Sequence, residues 1–260
     1  MDSERAGATL KIGFVTDIHE DAASLVDALL LLEKHKCECV CCLGDITGFS
    51  ELLLTTVRDR NRRECIRLIS ENCHLTVTGN HDLHTLERVT SFRAGSLLRE
   101  DWYSLSLKDR KNISKGTVWL YEDELISPPL SPEESAFLCH LPETASLHAA
   151  DQHLLLSHFA YPDISGSTKV LPNTHLDVVK HLHYMQLGGF NLSFSGHGHP
   201  EGVILCSDKR MDYHGFGLIQ LNETIKWVVL PPVVRSNRRS GVTIFDSDLK
   251  TLLALELYAQ

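Results

Sequence analysis

Val77-Thr78-Gly79-Asn80-His81-Asp82 is a short β-favouring run broken by a glycine and followed at once by side chains able to bind a cation. It reads as a strand that ends in ligands. Gly79 is expected to let the backbone turn sharply, so that Asn80 and His81 project from a loop rather than from a sheet face. The same order recurs in Phe14-Val15-Thr16-Asp17-Ile18-His19, Val40-Cys41-Cys42-Leu43-Gly44-Asp45, Leu154-Leu155-Leu156-Ser157-His158 and Leu192-Ser193-Phe194-Ser195-Gly196-His197-Gly198-His199. If these strands lie side by side, their ends meet in one place.

Between the first of these runs the spacing is helical. Leu25, Ala28, Leu29 and Leu32 follow Asp21 and Ser24, and Cys65, Leu68 and Ile69 share one face of a helix over 64–72. With strands over 10–16, 37–43 and 75–78, this gives βαβ units and parallel strands, whose carboxyl-end loops form the binding crevice. Over 90–130 the pattern weakens, and Trp102, Tyr103, Trp119 and Tyr121 sit among charges, so an irregular cover or lid is expected there. Ser131-Pro132-Glu133-Glu134 has the spacing of a capping box and starts a short helix through Leu138. A longer helix over 173–187 should stop at Gly188-Gly189. Strands are then expected over 203–206, 216–221, 226–230, 241–245 and 252–257, forming a second sheet packed on the first. The fold class is α/β, with two packed mixed sheets (a β-sandwich) flanked by helices in one domain spanning 1–260.

Composition narrows the function. Among 260 residues, 34 acidic side chains outnumber 25 basic ones, and the net charge of -9 argues against a partner held through many phosphates, such as a long nucleic acid. The start of the chain lacks a basic segment followed by an apolar one, and no apolar run is as long as a membrane span. A cytoplasmic protein is therefore expected. Cys37, Cys39, Cys41 and Cys42 lie in a strand, offer no tetrahedral knuckle, and read as buried thiols.

Asp17, His19, Asp45, Asn80, His81, His158, His197 and His199 remain as the candidate site. Carboxylate, amide and imidazole donors without thiolate suit borderline divalent ions such as Mn, Fe, Zn, Co or Ni. There are more donors than one ion needs. Two ions sharing Asp45 would use them all, and paired ions are a known device for phosphoryl chemistry.

The ordered set DIH, GDITG, GNHD, LSH and GHGH, spanning residues 17–199, resembles the calcineurin-like metallophosphoesterase superfamily. It is most similar to small stand-alone phosphodiesterases and diadenosine-tetraphosphatase-like members. The resemblance implies a two-metal phosphoesterase, with one ion on Asp17, His19, Asp45 and His199 and the other on Asp45, Asn80, His158 and His197. It further implies that His81, beside the second ion, is the catalytic acid, with Asn80 also touching substrate; Asp82 orients the loop.

Two departures from the family pattern matter. The protein-phosphatase branch has GDxxDRG, whereas Gly48 here replaces the second aspartate, which pairs with the catalytic histidine, and Phe49 replaces the phosphate-binding arginine. Loss of that bidentate anchor favours diesters over monoester dianions, and loss of the aspartate leaves the orienting partner of His81 unidentified. Relatives often have His-Gly where this chain has His158-Phe159. Tyr161, Ser165-Gly166-Ser167 and the 235–239 arginine segment are candidate contacts for a small phosphate-ester substrate. The alternatives are a phosphomonoesterase or protein phosphatase, and a non-catalytic scaffold on the same fold with a degraded metal site; the intact donor set favours the enzyme.

Overall fold

Strand β1 (Lys11–Val15) is buried from Ile12 onward, as befits an interior strand with a neighbour on each side. A computed structural model describes residues 10–50, 54, 56–57, 59–92, 97–124 and 128–258. Helix α1 (Ala22–Lys34) begins where the Asp21 carboxylate accepts the Ser24 amide, and it buries Leu25, Ala28 and Leu32. Strand β2 (Cys39–Cys42) pairs in parallel with β1. Helix α2 (Arg62–Asn72) is capped by Asn61 and leads to the two-residue β3 (Leu75–Thr76), which pairs with β2 in parallel. Helix α3 (Asn80–Thr85) comes directly after the strand end.

The stretch expected to be irregular carries structure of its own among the described residues. A 3₁₀ turn (Trp102–Ser104) and helix α4 (Leu107–Ser114) gather around Leu98, Trp102 and Val118. Residues 93–96 and 125–127 lie outside the described part. Helix α5 (Pro132–His140) has the expected capping box, the Ser131 hydroxyl accepting the Glu134 amide while Glu134 accepts the Ser131 amide. Strands β4 (Thr144–Ala149) and β5 (Gln152–Ser157) form a hairpin whose first arm, with its half-exposed polar sequence, gave no strand signal. The helix expected over 173–187 divides into a 3₁₀ turn (His175–Val178) and α6 (Val179–Leu187), because Asp177 takes the Asn173 and Thr174 amides and starts a separate first turn.

The remaining strands are β6 (Leu192–Ser195), β7 (Val203–Cys206), β8 (Met211–His214), β9 (Gly217–Gln220), β10 (Trp227–Val229), β11 (Gly241–Asp246) and β12 (Thr251–Glu256). They do not make a sheet of their own. One six-stranded sheet has the order β3-β2-β1-β11-β12-β9, the other β4-β5-β6-β10-β7-β8. The late strands thus split, β11 adding antiparallel to the free edge of β1 and β10 adding parallel to β6. Both sheets present apolar inner faces, so alternation alone cannot assign a strand to one or the other.

Ile12, Phe14 and Phe245 from one sheet and Leu154, Leu156, Phe194 and Val228 from the other share a core between the layers. Phe14 stacks on Phe194 at 4.5 Å between ring centroids. A second core holds α1, α2 and α5 against the first sheet, and a smaller one around Phe159, Val178 and Trp227 covers the second. Cys39, Cys41 and Cys42 are buried and Cys37 is half-buried, all with free thiols. Among the described residues no helix is long and apolar enough to cross a membrane.

Candidate metal centre

The five ligand-bearing runs are not neighbours in one sheet. β1, β2 and β3 end on one layer, β5 and β6 on the other, and their carboxyl ends converge across the sandwich. The layers are stitched together at this end by polar contacts. His158, after β5, donates from Nδ1 to the Leu43 carbonyl after β2 (2.7 Å). The His197 amide, after β6, donates to the Asp17 carboxylate after β1 (3.0 Å to Oδ2).

Bringing five strand ends together requires unusual backbone. Asp17, His19, Asp45, His197 and His199 all have positive φ, between 45° and 63°. Left-handed conformation at residues other than glycine costs roughly 1–3 kcal/mol each, together a sizeable share of the about 5–15 kcal/mol by which a domain is stable. The conformation has a use: in Asp17-Ile18-His19 and His197-Gly198-His199 both flanking donors turn into the one cluster of overlapping groups.

Gly79 serves for a reason other than the expected one. Its φ of -101° and ψ of -179° are extended and open to any residue, but a Cβ there would land on Asp45 Oδ1. A Cβ at Gly196 would likewise overlap Thr16 Oγ1 and lie 2.6 Å from Asp17 Oδ2. These glycines clear space for carboxylates. Asp82 holds its loop as expected, accepting the Gly79 amide (3.0 Å) and both the amide and hydroxyl of Thr47 (2.9 and 3.0 Å). Burial and the Asp45 charge push its carboxyl up to about 6.

The donors fall into three overlapping groups: Asp17, His19 and His199; His19, Asp45 and His81; and Asp45, His158 and His197. Asp45 is buried, with Oδ1 taking the His81 amide (2.9 Å). Its Oδ2 faces inward, 3.0 Å from His158 Nε2 and 3.9 Å from both His19 Nε2 and His81 Nε2. Asp17 Oδ1 lies 3.2 Å from His199 Nε2. His19 uses Nδ1 on the Gly48 carbonyl (2.9 Å) and meets His199 Nε2 with its own Nε2 at 3.3 Å. His158 and His19 each spend Nδ1–H on a carbonyl, so their neutral forms present bare Nε2 lone pairs.

A lone pair 3.0 Å from a carboxylate oxygen is repulsive unless a cation or proton lies between them, and this arrangement suits a metal. Asn80, at the first position of α3, is buried with its Oδ1 unpartnered. These residues fit a pair of divalent ions. Without them the charges must be met by protons. Despite burial, Asp45 raises His158 to about 9, and Asp45 with Glu124 raises His81 to about 9. Burial keeps His19 and His197 near 3. Asp17 and Asp45 stay below the usual carboxylate range: burial works against this, but it is outweighed by the histidines, His199 foremost for Asp17 and His158 for Asp45.

His81 stands edge-on to His19 (4.7 Å between rings, 90°) and so overlooks the side of the cluster that holds Asp17 and His199. Its Nδ1 forms a short hydrogen bond with Glu124, a residue without any motif. Nothing in the charged stretch Tyr121-Glu122-Asp123-Glu124 singles this carboxylate out. Phe159 packs on the His197 ring (4.6 Å) and walls it in. Gly166, of the Ser165-Gly166-Ser167 candidate, also lies against His197, since a Cβ there would sit 2.6 Å from its Nδ1. Tyr161 stacks on Tyr184 of α6 (4.5 Å, 3°), and its amide donates to His181. Of the arginine segment, Arg238 donates to the His199 carbonyl (3.4 Å), while Arg235, Arg238 and Arg239 line a separate open cleft of about 520 Å³.

Comparison with known proteins shows the family and the fold. A family model for the calcineurin-like phosphoesterase superfamily domain matches residues 10–211. A metallophosphoesterase from Sphaerobacter thermophilus shares the fold with a TM-score of 0.64 at 15% identity, over 97% of this chain and 89% of that one. A hypothetical protein from Pyrococcus horikoshii OT3 does so with a TM-score of 0.60 at 12% identity, over 96% and 88%. No curated protein matched the sequence.

Proposed function

The chain belongs to the calcineurin-like phosphoesterase superfamily, and from that premise we propose that it is a two-metal phosphodiesterase acting on a small or nucleotide-derived phosphate ester. The observation that carries this reading is the His158 Nε2 and Asp45 Oδ2 pair, 3.0 Å apart at the centre of the cluster with Nδ1 already committed to Leu43. Asp17, His19 and His199, with Asp45, would hold one ion; Asp45, Asn80, His158 and His197 would hold the other. Mn, Fe, Zn, Co and Ni all suit such donors. When bound, two such ions polarise phosphoryl oxygens and acidify a water for in-line attack.

The chain supplies the rest. The sandwich fixes the donors before substrate arrives, so little reorganisation is needed during reaction. His81, tied at Nδ1, has Nε2 free to give a proton to the departing oxygen. A diester is favoured because the arginine position of the phosphatase branch is Phe49. Arg60, which lies over the Phe49 ring (4.8 Å), does not refill it, being paired with Glu20 (2.7 Å). A monoester dianion would lack its bidentate anchor. The free thiols of all eight cysteines accord with a cytoplasmic setting.

Purified protein reconstituted with each of the five metals in turn should hydrolyse bis-p-nitrophenyl phosphate at least as efficiently as p-nitrophenyl phosphate, compared by kcat/KM. A strong monoester preference would promote the phosphatase reading. Failure to hydrolyse either would promote the scaffold.

A further inference from the structure

Gly48 stands where the phosphatase branch carries the aspartate that pairs with its histidine, and no side chain fits there. Its φ is +85°, and a Cβ would lie 2.5 Å from His81 Nδ1. That nitrogen is reached instead by Glu124, whose side chain is 10% exposed. Glu124 ends a strap over 117–124 that crosses between the layers. At one end Val118 bridges to Thr168, with Trp119 donating to the Ser167 carbonyl (3.1 Å) and Lys169 to the Thr117 carbonyl (2.9 Å). At the other, Ser50 bridges to Glu124 and its hydroxyl donates to Asp123 (2.5 Å). Between them the Tyr121 ring stands against His81 (5.0 Å, 72°) and stacks on His84 (4.2 Å).

We infer that Glu124 is the positioning residue of His81, and that the strap, not the loop bearing the motif, makes the acid competent. The Glu124 carboxylate accepts Nδ1–H, which fixes the tautomer and turns Nε2 toward Asp45 Oδ2 (3.9 Å). In the reaction the bond from phosphorus to the leaving oxygen breaks with its electron pair passing to that oxygen. The proton on His81 Nε2 moves to the oxygen, and the ring is left neutral with Nδ1–H still on Glu124. Glu124 accepts Nδ1–H before and after the transfer. This assignment rests on the phosphodiesterase reading for its kinetic consequence, but not for its structural one.

The test uses two diesters of thymidine 5′-phosphate, methyl and p-nitrophenyl, since only the alkoxide needs a proton to leave. Glu124→Ala is expected to lose roughly tenfold or more beyond any loss on the p-nitrophenyl ester, the same bias as His81→Ala, with metal content retained. Glu124→Gln, whose amide oxygen still accepts Nδ1–H, should recover part of the difference. In NMR of isotope-labelled protein, the downfield Nδ1–H signal absent from His81→Ala should also vanish in Glu124→Ala and persist, shifted, in Glu124→Gln. Equal loss on both esters, or a signal unchanged in Glu124→Ala, overturns the inference. If wild-type protein cleaves neither ester, the functional reading fails, and the NMR comparison still decides whether Glu124 holds His81.

Discussion

The strand ends that carry Asp17, Asp45 and His197 and the strap that carries Glu124 serve the same site by different physics. At the strand ends, position is imposed by β-register and by two large cores, strongly enough to hold several residues in left-handed backbone. The glycines there clear room for carboxylates to within van der Waals limits. The strap rests on a satellite cluster around Leu98, Trp102 and Val118 and on a few polar tethers. Segments with few buried apolar contacts open at lower free energy than core strands. The donors are therefore the fixed part of the site and the Glu124 contact the adjustable part.

The largest effect should come from the most shared donor. Asp45→Asn is expected to lose both ions and to lower kcat on bis-p-nitrophenyl phosphate by about 10³ or more, the scale of removing a principal electrostatic stabiliser. Elemental analysis alongside kinetics checks this, and full metal occupancy in the mutant would break the idea of one carboxylate serving both groups.

Gly79→Ala separates space from conformation. If glycine were needed only for backbone freedom, alanine at φ -101° would be harmless or slightly stabilising. Because the new methyl lands on Asp45 Oδ1, we expect a loss of about 1–3 kcal/mol in denaturant unfolding, together with weaker metal binding. A neutral or stabilising result would remove the steric account.

Val118→Ala probes the strap, and its effect should be the smallest. Trimming two methyl groups from this buried valine should cost about 1.5 kcal/mol, confined to the strap, so that amide exchange over 117–124 quickens several-fold while the strand ends keep their protection and metals. Uniformly faster exchange would mean that strap and strand ends open together and that the contrast between them is false.

These contrasts track what was legible along the chain. Each donor announced itself because an apolar run stopping at Asp, Asn or His is a local pattern. The sheet assignment was not legible, since nothing local in β9, β11 and β12 marks them for a different layer from β7 and β10, yet they add to the opposite one. Nor was the order within 90–130, where aromatic residues close a small core only when Val118, far along the chain from Leu98, folds back on it.

Consecutive residues were enough for the candidate donors and their place at strand ends, the two-sheet architecture and the family, because ligand chemistry and hydrophobic periodicity are local properties of a chain. They were not enough for three things: that the strand ends face each other across a sandwich, that Gly79 is glycine for space, and that the partner of His81 is Glu124. Those depend on which atoms approach through space, and Glu124 reaches His81 from 43 residues away because strand pairing and core packing, not chain neighbourhood, bring them together.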